Sequence, residues 1–350
     1  MRKTHPSFST ITQVQPPFDP NGPGLPGQLF GLPYSAAEAD VLVFPVPWEA
    51  TVSYRSGTAR SIPAIIEASQ QIDLFDADII NVWKTKIALA PAAAGLLQES
   101  DRLRRLITTN KHAQGDTHKL LLEQVNKSCE QLHVFVEKQT EKWLNAGKRV
   151  VLLGGDHSTP LGYWRALEKK YRTFGLLHID AHADLRKAYE GFTYSHGSVF
   201  YHAWRMAGIS KIVQVGVRDY CEEEDERIRN SNGRIATFFY HDLREAQFQG
   251  TTWAKQVHHI IDALPAEVHI SFDVDGLDPA LCPHTGTPVP GGFRFEEIVY
   301  LIKELVRSGR KIIGADLVES GAEPWDAIVT ARLLYLLCTW MPHAHHAQYR

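Results

Sequence analysis

The sequence lacks several features that define large protein classes. It has only 4 cysteines in 350 residues and no CxxC pair, which argues against a disulfide scaffold and favours a reducing compartment. It contains no run of about 18 consecutive apolar residues, and residues 1–20 lack the apolar core of a signal peptide. The 37 basic residues are balanced by 40 acidic ones, so no excess positive charge is available to bind nucleic acid. We therefore expect a cytoplasmic protein that binds neither membranes nor nucleic acid.

The composition is that of a protein with a large core, since 44% of the residues are hydrophobic and 10% are aromatic. Residues 1–38 are rich in Pro, Gly and Ser, which predicts an N-terminal arm or loop. Residues 39–342 show no internal break and are predicted to form a single α/β domain. Residues 343–350 carry clustered histidines and are predicted to be a C-terminal tail.

Short apolar runs alternate with amphipathic segments along this domain. The runs are rich in Val, Ile and Leu and nearly continuous, which is typical of parallel strands covered on both faces. They lie at 40–46, 86–90, 149–153, 174–179, 211–217, 234–240, 267–273 and 311–318. Predicted helices lie near 61–71, 116–146, 159–170, 197–207, 221–230, 252–263, 295–308 and 326–340. The pattern predicts a three-layer αβα sandwich around a central, mostly parallel eight-stranded sheet.

Polar motifs follow four of the predicted strands. GGDHS occupies 154–158, DAHAD occupies 180–184, DVDGLDP occupies 273–279, and Glu319 follows the last run. Ligands of parallel sheets bind at the carboxyl ends of the strands, so these motifs are the candidates for chemistry. Each motif alone could be no more than a turn or a helix cap.

The spacing within the motifs brings the carboxylates together. Asp180, His182 and Asp184 alternate, which places them on one side of an extended segment, and Asp273 and Asp275 repeat that pattern. So many carboxylates in one crevice repel each other, and no Lys or Arg lies between them. A pair of divalent metal ions is the simplest counter-charge. Carboxylate and imidazole ligands without thiolate suit Mn²⁺, Fe²⁺, Co²⁺, Ni²⁺ or Zn²⁺.

With these motifs, residues 40–340 resemble the ureohydrolase superfamily, which comprises arginases, agmatinases, guanidinobutyrases and formimidoylglutamases. The stretch TGTPVPGG at 285–292 adds to the resemblance, as do Gly57, Arg60 and Pro63. The resemblance implies the arginase-like fold and two bound metal ions, with Mn²⁺ as the expected metal. It also implies assembly into trimers or hexamers.

The resemblance assigns ligands residue by residue. One ion would be held by His157 together with Asp180, Asp184 and Asp273. The other would be held by His182 and Asp275 together with the same Asp180 and Asp273, which would bridge the two ions.

Three further roles follow from the resemblance. His196 matches an acid/base histidine, although it could simply begin the helix at 197. Glu319 matches the carboxylate that pairs with a substrate guanidinium, and Asp184 would help to position the nucleophile. The implied reaction is hydrolysis of a guanidino C–N bond with release of urea.

Motif details bear on the substrate. Arg218-Asp219 is followed by Tyr220-Cys221, where arginases place a second acid that meets the substrate's α-amino group. The arginase SGNLHG loop is also absent, so the resemblance is closest to agmatinases and implies agmatine as the substrate. Arg186 and Asp219 are candidate substrate-binding residues. Arg186 could bind the carboxylate of a guanidino acid or of formimidoylglutamate, or it could form a surface or inter-subunit ion pair.

Several alternatives remain open from the sequence. Arginase, guanidinobutyrase and formimidoylglutamase activities would use the same scaffold. A catalytically inert, metal-bound regulatory protein is an interpretation of a different class, and a deacetylase-like zinc hydrolase would keep a single metal.

Overall fold

A computed structural model describes residues 18–343, which are built around one eight-stranded sheet in which all neighbouring strands are parallel. The strand order is β2-β1-β3-β8-β7-β4-β5-β6. The strands are β1 (Val41–Val46), β2 (Ile87–Leu89), β3 (Arg149–Gly154), β4 (Phe174–Ile179), β5 (Ile209–Val215), β6 (Ile235–Phe238), β7 (Glu267–Asp273) and β8 (Lys311–Val318).

Helices cover both faces of the sheet. They are α1 (Ser61–Ser69), α2 (Leu96–Thr109), α3 (Gly115–Asn145), α4 (Leu161–Lys170), α5 (Val199–Arg205), α6 (Glu222–Arg229), α7 (Tyr240–Phe248), α8 (Trp253–Asp262), α9 (Phe295–Arg307) and α10 (Pro324–Trp340). None of the helices in residues 18–343 has both the length and the apolar character needed to span a membrane.

The core is divided into two apolar layers by the sheet. In β1, Val41 and Val43 pack in the layer with α9 and α10, whereas Leu42 and Phe44 pack in the layer with α3 and α4. Successive residues of a strand point to opposite faces, so a strand buried on both faces needs an unbroken apolar run. The predicted three-layer α/β sandwich is confirmed.

Two helices differ from the sequence-based expectation. α2 was not predicted, although its apolar residues recur at helical spacing and pack on the core layer that contains α3 and α4; they are Leu96, Leu103, Leu106 and Ile107. α7 was not predicted either, and it begins two residues after the end of β6. The aromatic residues Phe239 and Tyr240 continue the apolar run of β6 in the sequence, but they lie outside the strand. The predicted strand at 234–240 is therefore too long at its end.

The described part of the predicted arm contributes to the core. Leu29, Phe30 and Leu32 are buried, and the Phe30 backbone N–H donates to Ser69 Oγ in α1 at 2.9 Å. Residues 1–17 and 344–350, which include most of the predicted C-terminal tail, lie outside the described residues. The division of the chain at residues 38 and 342 stays a prediction.

Candidate active site

The four motif-bearing strands are neighbours in the sheet, in the order β3-β8-β7-β4. Because they are parallel, their carboxyl ends meet at one edge, and the four polar motifs meet there too. The GGDHS turn fits closely against the loop after β1, since a Cβ on Gly155 would lie 2.0 Å from Trp48 O. A side chain at that position would push the turn away from the site.

His157 lies at the centre of three carboxylates. Its Nδ1 lies 3.0 Å from Asp180 Oδ2 and 3.2 Å from both Asp184 Oδ2 and Asp273 Oδ2. That nitrogen is buried and makes no hydrogen bond. An imidazole nitrogen that faces three carboxylate oxygens in this way is arranged to share a cation with them.

The hydrogen bond made by the other ring nitrogen, Nε2, determines which nitrogen of a neutral His157 ring carries the proton. Ser271 Oγ donates to Asp316 Oδ1 at 2.7 Å, so it accepts from His157 Nε2–H at 3.0 Å. The neutral ring therefore has an unprotonated Nδ1 directed at the carboxylates, as metal ligation requires. Asp316 is fully buried and also accepts from His269 Nε2 at 2.6 Å.

His182 forms a second group, which shares Asp180 with the first. Its Nδ1 lies 3.0 Å from Asp275 Oδ2 and 3.5 Å from Asp180 Oδ1. Backbone N–H groups orient the acids: Ala181 N donates to Asp275 Oδ1, and Asp275 N donates to Asp273 Oδ1, at 3.0 and 2.9 Å. One oxygen of each acid is thus fixed while the other faces the cluster.

The electrostatics of the cluster favour cations. Burial and the nearby Asp180 raise the pKa of Asp184 to about 7, and burial together with Asp275 raises the pKa of Asp273 well above its usual range. Although burial opposes it, the facing carboxylates raise the pKa of His157 well above its usual value. Divalent cations placed among these groups would reverse all three shifts, so the donor set fits a pair of such ions.

Glu319 presents one free oxygen to the pocket. Its Oε1 accepts from the His157 backbone N–H at 2.9 Å, whereas Oε2 is buried without a hydrogen-bond partner. A Cβ on Gly286 would lie 3.0 Å from Oε2, so the glycine leaves space beside that oxygen. Glu319 and Asp184 have φ values of 62° and 52°, in the left-handed region that non-glycine residues rarely adopt. Such strain persists only where the surroundings impose it, and it is frequent at functional sites.

His196 lies in the same pocket, in the short 3-10 helix before α5. Its Nε2 is 3.3 Å from Ser53 Oγ, and its Nδ1 is buried without a hydrogen-bond partner. Burial, reinforced by His182 and His157, lowers the pKa of His196 to about 3. The ring is therefore neutral near pH 7, and it both begins the 3-10 helix and faces the pocket.

The pocket has a volume of about 240 Å³. Of the ten residues assigned from sequence, only Asp180 does not line it, because it lies fully buried beneath the other carboxylates. Arg186 and the exposed Asp219 lie in its lining. Arg186 is already engaged, with Nε 3.7 Å from Glu224 Oε2 and its guanidinium 5.0 Å from the centre of the Tyr189 ring.

Several residues of the site were not found from the sequence. His178, Gln214, Ser271 and Asp316 lie inside strands and hold the candidate ligands from below. Each is a buried polar residue that interrupts a mostly apolar strand. A buried polar group needs a hydrogen-bond partner, so each interruption of a strand by a polar residue could have indicated that the residue supports the site.

Known proteins with similar sequences and folds point to one family. The arginase family model matches residues 39–335. The chain is 32% identical over 282 residues to the N(1)-aminopropylagmatine ureohydrolase of Thermus thermophilus, covering 81% of this chain and 83% of that protein. It is 28% identical to the agmatinase of Bacillus anthracis, covering 81% of this chain and 84% of the other.

Solved structures agree at the level of the fold. The agmatine ureohydrolase of Thermoplasma volcanium matches with a TM-score of 0.69 and 23% identity, covering 90% of this chain and 94% of that one. The arginase of Medicago truncatula matches with a TM-score of 0.65 and 23% identity, covering 87% of each chain. By its sequence over almost the whole described region, and in accord with its fold, this chain belongs to the arginase family.

Proposed function

We propose that this protein is a binuclear metal-dependent hydrolase that cleaves the guanidino C–N bond of agmatine and releases urea and putrescine. The observation that carries the proposal is the pocket floor, where His157 Nδ1, which makes no hydrogen bond, faces three aspartates beside the free oxygen of Glu319. A cation site next to an unpaired buried carboxylate suits a substrate that carries a planar positive group.

The residues fit two divalent cations, with Mn²⁺ as the proposed metal. His157 and Asp184 would hold one ion, His182 and Asp275 the other, and Asp180 and Asp273 would be shared. When bound, such a pair supplies Lewis-acid activation of water near neutral pH. The sharing of Asp180 is supported by its two oxygens, since Oδ2 faces His157 and Oδ1 faces His182.

Glu319 binds and orients the substrate. A carboxylate and a guanidinium form a charge-assisted contact whose planar geometry fixes the orientation of the reacting carbon. The Glu319 backbone N–H donates to Gly155 O at 2.7 Å, and Oε1 is held by His157 N. These two contacts leave Oε2 as the oxygen available to the guanidinium.

His196 carries the proton between water and leaving group. Its neutral ring can take the proton that the attacking water loses, and the resulting imidazolium can then give that proton to the departing amine. The unpartnered Nδ1 and the weak 3.3 Å contact of Nε2 with Ser53 leave the ring free to exchange protons.

The pocket mouth favours a cationic substrate tail over a carboxylate tail. Arg186 would be the partner of a guanidino acid, but it is engaged by Glu224 and stacked on Tyr189. Asp219 is exposed in the lining and can attract an amine. N(1)-aminopropylagmatine, the substrate in the name of a relative, carries such a cationic tail and is the second candidate.

A urea-release assay over a substrate panel tests the proposal. The panel contains agmatine, N(1)-aminopropylagmatine, arginine, 4-guanidinobutyrate and formimidoylglutamate, with ammonia and formamide measured for the last. We expect the two cationic amines to be hydrolysed with kcat/KM at least tenfold above those of the acids. Preference for arginine or a guanidino acid would overturn the substrate assignment, and no hydrolysis of any compound by the Mn²⁺-loaded protein would favour the inert regulatory alternative.

Glu319→Gln tests the proposed substrate pose. The variant keeps the size of the side chain but loses its charge, so kcat/KM for agmatine should fall by at least about 100-fold, because a charge-assisted contact at the reacting group is lost. Two metal ions per chain should remain by elemental analysis. Glu323→Gln, an exposed neighbour in the chain, is the matched control and should leave the kinetics unchanged. An unchanged kcat/KM in Glu319→Gln would contradict the pose.

A further inference from the structure

A row of polar side chains crosses five strands directly beneath the candidate ligands. The β-sheet register pairs Thr237 with Gln214, Gln214 with His178, His178 with Ser271, and Ser271 with Asp316. Residues in register on parallel strands lie on the same face, as do residues i and i+2. His178 and Ser271 therefore lie one step below Asp180 and Asp273 in their own strands.

The position of His178 allows two different roles. Its ring lies close enough to the ligand atoms of His157, Asp180 and Asp184 to join them around a cation. It also makes a hydrogen bond, since its Nε2 lies 2.7 Å from Asp180 Oδ2. A ring nitrogen that ligates a metal cannot carry a proton, so the tautomer of His178 decides between the two roles.

The tautomer is fixed from the far side of the ring by Gln214. Gln214 Nε2 lies 2.8 Å from Ala183 O, which only accepts hydrogen bonds, so the amide nitrogen must face that carbonyl. Thr237 Oγ1 donates to Gln214 Oε1 at 2.9 Å, which agrees with this orientation. The second amide hydrogen then points to His178 Nδ1 at 3.0 Å, and this ring nitrogen must accept.

We propose that Gln214 holds His178 as the Nε2–H tautomer, so that His178 is a positioning residue that donates to the shared carboxylate Asp180 and is excluded from the metal ligands. The ring is held in one orientation because it is fully buried and stacked on Phe200, with the ring centres 3.6 Å apart. The hydrogen bond orients Oδ2 of Asp180 towards His157. Partners of this kind commonly change metal affinity by 10- to 100-fold when they are removed.

This inference rests on the proposed metal site but can be tested separately from the proposed activity. The full chain is labelled with ¹⁵N-histidine and loaded with Zn²⁺, which is diamagnetic, and the ring nitrogens are observed by long-range proton–nitrogen correlation. The His178 signal is the one that is lost in His178→Phe. We expect a protonated Nε2 and a bare Nδ1. A protonated Nδ1, or an Nε2 that is bound to zinc, would overturn the proposal.

Gln214→Met measures how much the fixed tautomer of His178 contributes to metal affinity. The variant keeps the length of the side chain but removes the donor, and we expect Zn²⁺ affinity to fall 10- to 100-fold and the His178 signal to show mixed tautomers. Gln256→Met makes the same change at a buried glutamine in α8 and should leave both properties unchanged. Unchanged affinity in a folded Gln214→Met protein would contradict the proposal.

The outcomes distinguish this inference from the proposed function. If the protein releases urea but His178 carries its proton on Nδ1, only the tautomer assignment fails. If His178 shows the Nε2–H tautomer but no guanidino compound is hydrolysed, only the proposed function fails. The wild-type spectrum decides the tautomer even if Gln214→Met does not fold.

Discussion

At the scale of single residues, the account depends on Asp180 and Asp273, the two carboxylates that are proposed to bridge the ions. Asp180 faces His157 through Oδ2 and His182 through Oδ1, and Asp273 faces His157 through Oδ2. A bridging ligand neutralises two ions at once, so its loss affects both. Their roles as bridging ligands stay a prediction of the family resemblance, and this geometry supports it.

Asp180→Ala or Asp273→Ala should therefore remove both ions rather than one. Elemental analysis of the dialysed protein should find about two ions per chain in the wild type and clearly fewer than one in either variant. Asp278→Ala, in the same turn but with its Oδ1 accepting from Ala280 N, is the control and should retain two ions. A variant of either shared aspartate that still binds two ions would refute the bridging assignment.

His196 makes a second residue-scale prediction. His196→Asn removes the proton carrier, and kcat should fall about 100- to 10,000-fold, the usual contribution of general acid–base catalysis. Metal content should not change, and added imidazole should restore part of the rate. His241→Asn, at an exposed histidine, serves as the control. If kcat survives in the His196 variant, the ring has only its structural role at the start of the 3-10 helix.

At the scale of elements, the ends of the four strands that carry the motifs could be predicted to within one residue, whereas two helices were not predicted. The runs ending at Ile179 and Asp273 coincide with β4 and β7 because both faces are buried and the apolar pattern ends where the strand ends. Helix α2 was missed although Leu96, Leu103 and Ile107 recur at helical spacing, so the signal for this helix was present in the sequence.

The contact between α3 and α4 gives an element-scale prediction about pH. A Cβ on Gly162 would lie 2.2 Å from His133 O, so the two helices touch closely, and the His133 ring is fully buried with neither nitrogen hydrogen-bonded. Burial, with Arg165 and His202 nearby, lowers the pKa of His133 well below 6.5. Below pH about 6.5 the unfolded chain binds a proton at this histidine that the folded chain does not.

The folded state should therefore lose stability as the pH falls below about 6.5, by up to about 1.4 kcal/mol per pH unit from this residue. Denaturant unfolding at pH 7.5, 6.5 and 5.5 measures the effect. His133→Leu should show a smaller loss of unfolding free energy between pH 6.5 and 5.5 than the wild type. Equal losses would show that His133 is protonated as easily in the folded protein as in the unfolded one.

At the scale of the whole molecule, the sequence predicts the fold class and the residues of the site. It does not predict the strand order or the polar residues that hold the site from below. The motifs could be assigned to one edge because the sheet was expected to be mostly parallel. The order β3-β8-β7-β4, which makes the motifs neighbours, follows from chain crossovers that no local pattern encodes. The row from Thr237 to Asp316 likewise exists only once five strands are in register.

Assembly and location are also properties of the whole molecule. Assembly into a trimer or hexamer and location in the cytoplasm stay predictions of the family resemblance and of the cysteine usage, respectively. The identity of the metal as Mn²⁺ has the same status.

Anomalous diffraction from a crystal grown with Mn²⁺ tests the central claim most directly. Our account predicts two anomalous peaks per chain, both among His157, Asp180, His182, Asp184, Asp273 and Asp275, with the ring of His178 not bound to either. A single peak, peaks elsewhere, or no peak at this edge of the sheet would contradict the claim that these side chains hold a pair of cations.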